Sequence, residues 1–180
     1  MHIIRGGSPL FSTYAQNELF FVYFVLGFLH TIFVDLKCEM KRMNKYPPCF
    51  PDDFEAKILP AGAREETRPV YRVIKYGTID RQSFISTYEE IKQKLIPPRK
   101  NMDPMDPGLY STSCNIEYSE AEYALKIFMR HKPKAFIAKG KTEKMCGPSQ
   151  LTADREKRTD THVDWWIYQE SEPQIYFHEV

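Results

Sequence analysis

The stretch "HVDWWIYQESEPQIYFHEV", residues 162–180, decides the fold class. Two runs rich in β-branched and aromatic residues, 162–168 and 174–180, flank a polar turn that contains Pro173. This pattern is typical of two consecutive strands joined by a turn. Because no helical segment separates them, the chain lacks the regular strand–helix alternation of a doubly wound fold.

The segments before these two strands predict the remaining strands and the helices of the fold. Short β-rich runs predict three earlier strands, namely "VYRVIK" (70–75), "LYST" (109–112) and "AFIAKG" (135–140). Helical spacing predicts one helix over 80–96 and a second from 119 to about 131. The sequence therefore predicts a single α+β domain with a twisted, mostly antiparallel sheet and two main helices.

The starts of the two helices carry capping signals. Asp80 is the expected N-cap of the first helix, which places Ser86 and Thr87 in its middle. In "SEAE" (119–122), Ser119 and Glu122 have the spacing of a capping box and predict the start of the second helix.

Two further segments leave alternatives open. The polar segment 141–160 shows no periodicity and is long for a loop in a compact domain, which indicates mobility or a functional lid. Strand alternation places Trp165 and Trp166 on opposite faces of the sheet. One ring then packs in the core, and the outward ring either packs as well or stacks on a base, nicotinamide or a partner.

The N-terminal segment 1–42 differs from the rest of the chain. Residues 19–34 form a nearly continuous apolar run that is shorter than the roughly 20 residues of a typical membrane-spanning helix. We consider a membrane anchor, a packed helix and an upstream extension, with an α+β domain from 43 to 180. Contact with a membrane is expected only if residues 19–34 insert, and the positive charges that follow would then leave the domain in the cytoplasm.

Composition excludes some classes of partner. The chain has 180 residues, 42% hydrophobic and 27% charged, and a net charge of +1, as in ordinary globular proteins. This net charge gives no general attraction to nucleic acid, so nucleic-acid binding is not expected. The segment 130–141 collects basic residues, but the C-terminus of a helix attracts cations in any case.

The cysteines indicate a reducing compartment. Cys38, Cys49, Cys114 and Cys146 form no C-x-x-C pair and no disulfide-framework spacing, so we expect reduced thiols in a cytoplasmic protein. A zinc site built from Cys114, Cys146, His162 and His178 would lack the close ligand spacing of such sites. We therefore expect no metal cofactor.

Candidate functional residues must be sought outside the common motifs. The sequence contains no G-x-G-x-x-G, P-loop, H-E-x-x-H or G-x-S-x-G pattern. Three polar features remain, namely Arg72 within the first strand, the cluster from Ser111 to Ser113, and Glu179 in the last strand. Each also has a structural interpretation, respectively an ion pair with an acid such as Glu89 or Glu90, hydrogen bonding at a strand end, and an exposed charge.

In their chain order, Arg72, the S-T-S sequence 111–113 and Glu179 resemble the motifs of the mono-ADP-ribosyltransferases. The resemblance implies an NAD-binding cleft in a split, twisted sheet, with NAD as the substrate. Arg72 would hold a phosphate or ribose of NAD, and Ser111 and Ser113, with Thr112 between them, would brace the nicotinamide-ribose pocket and the catalytic strand. Glu179 would stabilise the positive charge that develops on the ribose as nicotinamide leaves.

The resemblance leaves the catalytic carboxylate open. The family usually carries Gln or Glu two residues before the catalytic Glu, and Phe177 stands there in this chain. Glu170 and Glu172 have the family's E-x-E spacing and are alternatives to Glu179.

Two classes of function follow from the sequence. The first is an NAD-dependent, ADP-ribosyltransferase-like enzyme. The second is a non-enzymatic accessory or interaction protein, of the kind encoded by phages and other mobile elements, which binds an unknown protein or small molecule through the Trp strand and the polar loop.

Overall fold

The β-rich segments of the chain form one antiparallel sheet of six strands. The computed structural model describes residues 45–98, 100–157 and 161–180, which belong to one unit, Asn44–Val180. The strands are β1 (Arg68–Ile74), β2 (Thr112–Asn115), β3 (Phe136–Thr142), β4 (Ser149–Leu151), β5 (His162–Trp165) and β6 (His178–Glu179). Their order is β4-β5-β2-β1-β3-β6, and every pair is antiparallel. The predicted α+β fold class is confirmed.

Among residues 45–98, 100–157 and 161–180, three α-helices accompany the sheet, namely α1 (Phe54–Lys57), α2 (Thr87–Lys92) and α3 (Tyr118–Phe128). The sequence analysis did not predict α1. Within the described ranges, no helix is long and apolar enough to cross a membrane. The apolar run 19–34, with the three interpretations given for segment 1–42, lies outside the described residues.

The helix predicted over 80–96 is interrupted. Asp80 does cap a helix, but it is a short 3-10 helix, Arg81–Phe84, and the chain is extended at Ile85. Ser86 then starts α2 as its N-cap, because its hydroxyl accepts from the Glu89 amide while the Glu89 carboxylate accepts from the Ser86 amide. The placement of Ser86 in the middle of a helix was therefore wrong, since this reciprocal bonding begins a new helix.

The start of α3 also differs from the prediction. The residue at the N-cap is Glu117, which makes no side-chain capping bond, so α3 begins before the predicted capping box of Ser119 and Glu122. The helix ends at Phe128, close to the predicted end.

Two strand predictions and one loop prediction also differ from the structure. "LYST" is not a strand from 109, because Pro107–Tyr110 forms a 3-10 helix and β2 begins only at Thr112. The segment 141–160, predicted as a loop, contains the strand β4. The predicted strand 174–180 is mostly a 3-10 helix, Pro173–Tyr176, followed by the short β6.

Apolar side chains pack in two separate clusters. One lies against β1, β2, β3 and β5 and includes Val70, Phe84, Trp165 and Phe177. The other, largely aromatic, includes Trp166, Leu109 and Tyr110 together with residues that precede β1, namely Tyr46, Phe50, Phe54 and Ile58. The two indole rings pack in different clusters, as expected for neighbouring residues that face opposite sides of a sheet. Both rings are fully buried, so neither is available for stacking on a partner.

The two central strands pair over only a short length. β1 pairs with β3 at seven positions, from Arg68↔Thr142 to Ile74↔Phe136. Along β1 and β2, which are described in full, the only register pair joining the two is Tyr71↔Asn115, although β2 pairs with β5 at all four of its residues. The sheet therefore parts between the C-terminal half of β1 and the N-terminal half of β2.

Candidate functional site

A cleft with a volume of about 620 Å³ opens where β1 and β2 part. Its walls come from the end of β1, from α2 and the residues around it, from β2, and from one face of α3. The described residues on these walls include Arg72, Lys75, Tyr76, Glu90, Ser111, Ser113, Asn115, Glu120, Tyr123, Ile127, Phe128, Lys132 and His162. Three of the residues predicted from the sequence, Arg72, Ser111 and Ser113, therefore share one cleft.

Arg72 is a buried cation that spans the parting of the sheet. Its Nε donates to the Ser83 carbonyl at 2.8 Å, and its Nη1 donates to the Ser113 carbonyl of β2 at 2.6 Å. The side chain is only 4% exposed and lies 5.3 Å from the centre of the Phe84 ring. Burial lowers the pKa of the guanidinium, while neighbouring Cys114 and Glu90 act in the opposite direction.

No carboxylate of the described residues lies within ion-pair distance of Arg72. The ion pair of Arg72 with Glu89 or Glu90, which was considered from the sequence, is therefore not formed. The two carbonyls satisfy only part of the donor capacity of a guanidinium, which presents its N–H groups in a planar fork. A buried guanidinium that has spare donors and no paired carboxylate is electrostatically suited to an anionic ligand in the cleft.

Ser111 is bonded to a carboxylate that the sequence interpretation did not single out. The Ser111 hydroxyl donates to Asp164 Oδ1 of β5 at 2.5 Å and also lies 3.1 Å from the Gly108 carbonyl. The other oxygen, Asp164 Oδ2, accepts from the Thr152 hydroxyl at 2.7 Å and from the Arg155 guanidinium. Asp164 is 2% exposed, so a fully bonded, buried carboxylate lies directly behind the serine that lines the cleft.

These bonds hold Asp164 in its charged form. Burial alone would raise the pKa of this carboxyl, but the hydrogen bond from Ser111, the charges of His162 and Arg155, and the bond from Thr152 outweigh it. The net effect is a lowered pKa. Hydrogen bonds donated to a carboxylate favour the ionised form in this way.

The other two residues of the S-T-S sequence differ from Ser111. Ser113 is exposed and lines the cleft, and its carbonyl accepts from Arg72. The Thr112 side chain is buried, and its hydroxyl donates to the Phe84 carbonyl at 2.5 Å. Thr112 is not among the described residues lining the cleft, and its bond ties β2 to the 3-10 helix Arg81–Phe84.

Glu179 lies at the edge of the sheet. It is exposed on β6 and pairs with Ala138, which in turn pairs with Arg72. Arg72 and Glu179 thus lie in one row across the sheet, with Cα atoms two strand spacings, or roughly 10 Å, apart. Glu179 is not among the described residues lining the cleft, and Glu170 and Glu172 are exposed in the turn after β5.

A second polar cluster occupies a different part of the cleft. Lys75 Nζ donates to both oxygens of Glu90 at 2.9 and 2.8 Å, and the Tyr76 hydroxyl donates to Glu90 Oε1 at 2.8 Å. The Glu90 side chain is only 3% exposed, so these bonds satisfy a carboxylate that is almost entirely removed from water. The ion pair joins the end of β1 to α2 across the floor of the cleft.

A smaller cavity of about 410 Å³ adjoins the cleft. Thr87, Ser113 and His162 line both cavities, so the two meet beside the exposed serine. Arg155, which bonds Asp164, lies in the wall of the smaller cavity. A molecule in the cleft and another in the smaller cavity would therefore approach each other near Ser113.

The cysteines among the described residues, Cys49, Cys114 and Cys146, are free thiols. Burial raises the pKa of the Cys114 thiol to about 11, and burial also raises the pKa of Cys146. Across residues 45–98, 100–157 and 161–180, no group of three or more His, Cys, Asp or Glu side chains is placed to hold a metal ion.

No protein-family model, curated protein or solved structure matches the chain.

Asp164 is a candidate residue that the sequence analysis did not single out. It lies in the predicted strand "HVDWWIY", but a single acid in a strand gives no sign of whether it is buried and bonded. The resemblance gave no signal either, because it expects Gln or Glu two residues before a catalytic glutamate, and this chain has His162 two residues before Asp164. His162 lines the cleft at that position.

Proposed function

We propose that the protein is an NAD-consuming transferase of the ADP-ribosyl type that acts in the cleft between β1 and β2. The observation that carries the proposal is the hydrogen bond from Ser111 to the buried carboxylate of Asp164, in a cleft whose opposite wall holds the buried cation Arg72. A split sheet with Arg and S-T-S residues at the split is what the sequence resemblance implies.

Arg72 would bind the pyrophosphate of NAD. Its guanidinium is fixed by two carbonyls, which leaves N–H donors for a ligand and keeps the planar group in one orientation. An arginine fork matches phosphate oxygens in geometry and charge. Since no carboxylate of the described residues pairs with it, a bound phosphate would supply the missing countercharge.

Asp164 would take the role that the sequence interpretation gave to Glu179. As the C1′–N bond of NAD breaks, its electron pair leaves with nicotinamide and positive charge develops on the ribose. A fixed carboxylate in a water-poor site stabilises that charge without having to reorganise. Asp164 would act from behind Ser111, whose hydroxyl lies between the carboxylate and the cleft. The acceptor then forms the new bond at C1′ and loses its proton to solvent.

The test is the release of nicotinamide from NAD by the full chain and by two matched variants. We expect Asp164→Asn to slow release by about 100-fold or more, the scale found when one preorganised electrostatic group is removed from an active site. Glu179→Gln, which neutralises an exposed acid in the same sheet, should leave the rate within about twofold, since surface substitutions have small effects.

Two results would contradict the proposal in different ways. Equal rates for wild type and Asp164→Asn would remove Asp164 from the mechanism, and loss of activity in Glu179→Gln alone would restore the original assignment. Absence of both NAD binding and nicotinamide release in the wild type would favour the accessory-protein alternative.

A further inference from the structure

Lys75 and Lys132 lie together in the part of the cleft beyond Arg72. Both line the cleft, and so does Tyr76, whose ring centre is 4.6 Å from Lys132 Nζ. Lys75 Nζ lies 5.2 Å from the centre of the Phe128 ring, in the same wall. Two ammonium groups are therefore held by aromatic rings at one place, which restricts their positions.

The charges at this place are only partly compensated. Burial is the main cause that lowers the pKa of Lys75, Glu90 opposes it, and the positive charges of Arg72 and Lys132 lower it further. Arg72 and Lys132 thus lie near enough to Lys75 to act on it electrostatically. Glu90 offsets one of the three cations, and the excess positive charge favours an anion.

Glu120 lines the cleft too, but it is engaged elsewhere. Its carboxylate accepts from the backbone amide and the hydroxyl of Thr161 and from the Asn115 side chain, next to the pairing of β2 with β5. It therefore does not bond the cations at the far end of the cleft.

Lys75 keeps a donor for a ligand. Two of its N–H groups point to the oxygens of Glu90, and an ammonium group has one more. Lys132 forms no ion pair with a carboxylate of the described residues, so its ammonium keeps donors for a ligand. The Lys75 ammonium bonds Glu90 of α2, whereas the Arg72 guanidinium bonds the Ser113 carbonyl of β2. The two cations are therefore anchored to different elements of the cleft.

We propose that Lys75 and Lys132 form a second anion subsite, which binds a phosphate monoester on the adenosine ribose of the dinucleotide substrate. The apolar side chains beside them, Ile127 and Phe128, provide a surface for the adenine base. This inference rests on the proposed function, because it takes the molecule bound by Arg72 to be a dinucleotide.

The test is calorimetric titration of the full chain with AMP, adenosine 2′,5′-bisphosphate and adenosine 3′,5′-bisphosphate. We expect at least one bisphosphate to bind about tenfold or more tightly than AMP. Preference for the 2′,5′ isomer assigns the phosphate to a substrate of the NADP kind, and preference for the 3′,5′ isomer assigns it to a 3′-phosphorylated one. Equal affinity for all three compounds would overturn the subsite.

Two lysine variants test whether Lys132 causes the preference for a bisphosphate over AMP. Lys132→Ala should abolish the preference for the bisphosphate and leave AMP binding nearly unchanged. Lys134→Ala removes the same charge from an exposed residue that lines neither cavity, and it should keep the preference. An equal loss in both variants would show a diffuse effect of charge and overturn the assignment. Lys75 is left intact because its removal would leave the Glu90 carboxylate buried without its ion-pair partner.

The two proposals fail in different ways. Nicotinamide release that depends on Asp164, without any preference between AMP and the bisphosphates, overturns the subsite and leaves the proposed function standing. A bisphosphate preference that depends on Lys132, without nicotinamide release, supports the subsite and contradicts the transferase activity.

Discussion

At the scale of single residues, Asp164 links the stability of the domain to its proposed chemistry. Its two oxygens accept from Ser111 and from Thr152 and Arg155, which come from two different parts of the chain. Removing one partner of a buried ion pair leaves an uncompensated charge and costs about 3–5 kcal/mol. The same bonds that fix the carboxylate for its proposed role therefore contribute to folding.

Acid should weaken this contribution. The pKa of Asp164 is lowered in the folded protein, relative to an unfolded value of about 3.9, so its stabilisation is fully present above about pH 4. It is lost as the pH falls through the lower, folded-state pKa. We predict that Asp164→Asn lowers the free energy of unfolding by roughly 3–5 kcal/mol at pH 7, and that this difference shrinks towards pH 3. Urea denaturation of both proteins across this range measures it.

Glu179→Gln is the control for this titration. The residue is exposed at the edge of the sheet, and its replacement should change the free energy of unfolding at pH 7 by less than about 0.5 kcal/mol. A difference between wild type and Asp164→Asn that stays constant from pH 7 to pH 3 would mean that Asp164 does not titrate with a lowered pKa.

The site residues show what a sequence can reveal at this scale. Arg72, Ser111 and Ser113 could be found because an arginine and a serine cluster stand out in otherwise apolar strands. Asp164 could not be ranked above Glu179, because nothing in the sequence shows that the Asp164 carboxylate is buried and hydrogen-bonded. Its partner Ser111 is distant in the sequence, and Thr152 and Arg155 belong to a segment that was predicted as a loop. The resemblance supplied the residue types, and the tertiary contacts indicate which carboxylate adjoins the serine.

At the scale of elements, α2 depends on its first residues. It has only six residues, and short helices are marginal without capping and tertiary packing. The capping box of Ser86 and Glu89 satisfies two backbone amides at its start, and the next residue, Glu90, reaches the cleft and bonds Lys75. The cap therefore positions one wall of the candidate site.

We predict that Ser86→Ala lowers the free energy of unfolding by about 1 kcal/mol, the usual cost of losing a serine N-cap. Ser119→Ala is the matched control. Ser119 has the sequence signature of a capping box but is not the N-cap of α3, so its replacement should cost less than about 0.5 kcal/mol. Chemical denaturation of the two variants gives both values, and a larger loss for Ser119→Ala would contradict the cap assignments.

Element boundaries were harder to predict than element types. Phe84, Tyr88, Ile91 and Leu95 keep a helical spacing across Ile85, although the chain is extended there. The periodicity therefore hid the break, since Asp80 and Ser86 each begin their own helix. β4 was missed for another reason, because its three residues lie in a polar segment and are held by pairing with β5 rather than by a pattern of their own.

At the scale of the whole molecule, the parting of β1 from β2 creates the candidate site. The antiparallel α+β class could be predicted from the strand pattern, because consecutive strands without intervening helices leave few alternatives. The parting could not be predicted from local signals. It depends on β2 pairing fully with β5 but only once with β1, and on Arg72 bonding the Ser113 carbonyl in the gap.

An NMR titration of the ¹⁵N-labelled chain with NAD tests most directly whether a dinucleotide binds where β1 and β2 part. We expect the largest changes in amide chemical shift at residues that line the cleft, namely Thr87, Ser111, Ser113 and Asn115. Little change is expected at His178 and Glu179 on the outer edge of the sheet. Shift changes confined to β6, or none at saturating NAD, would contradict it.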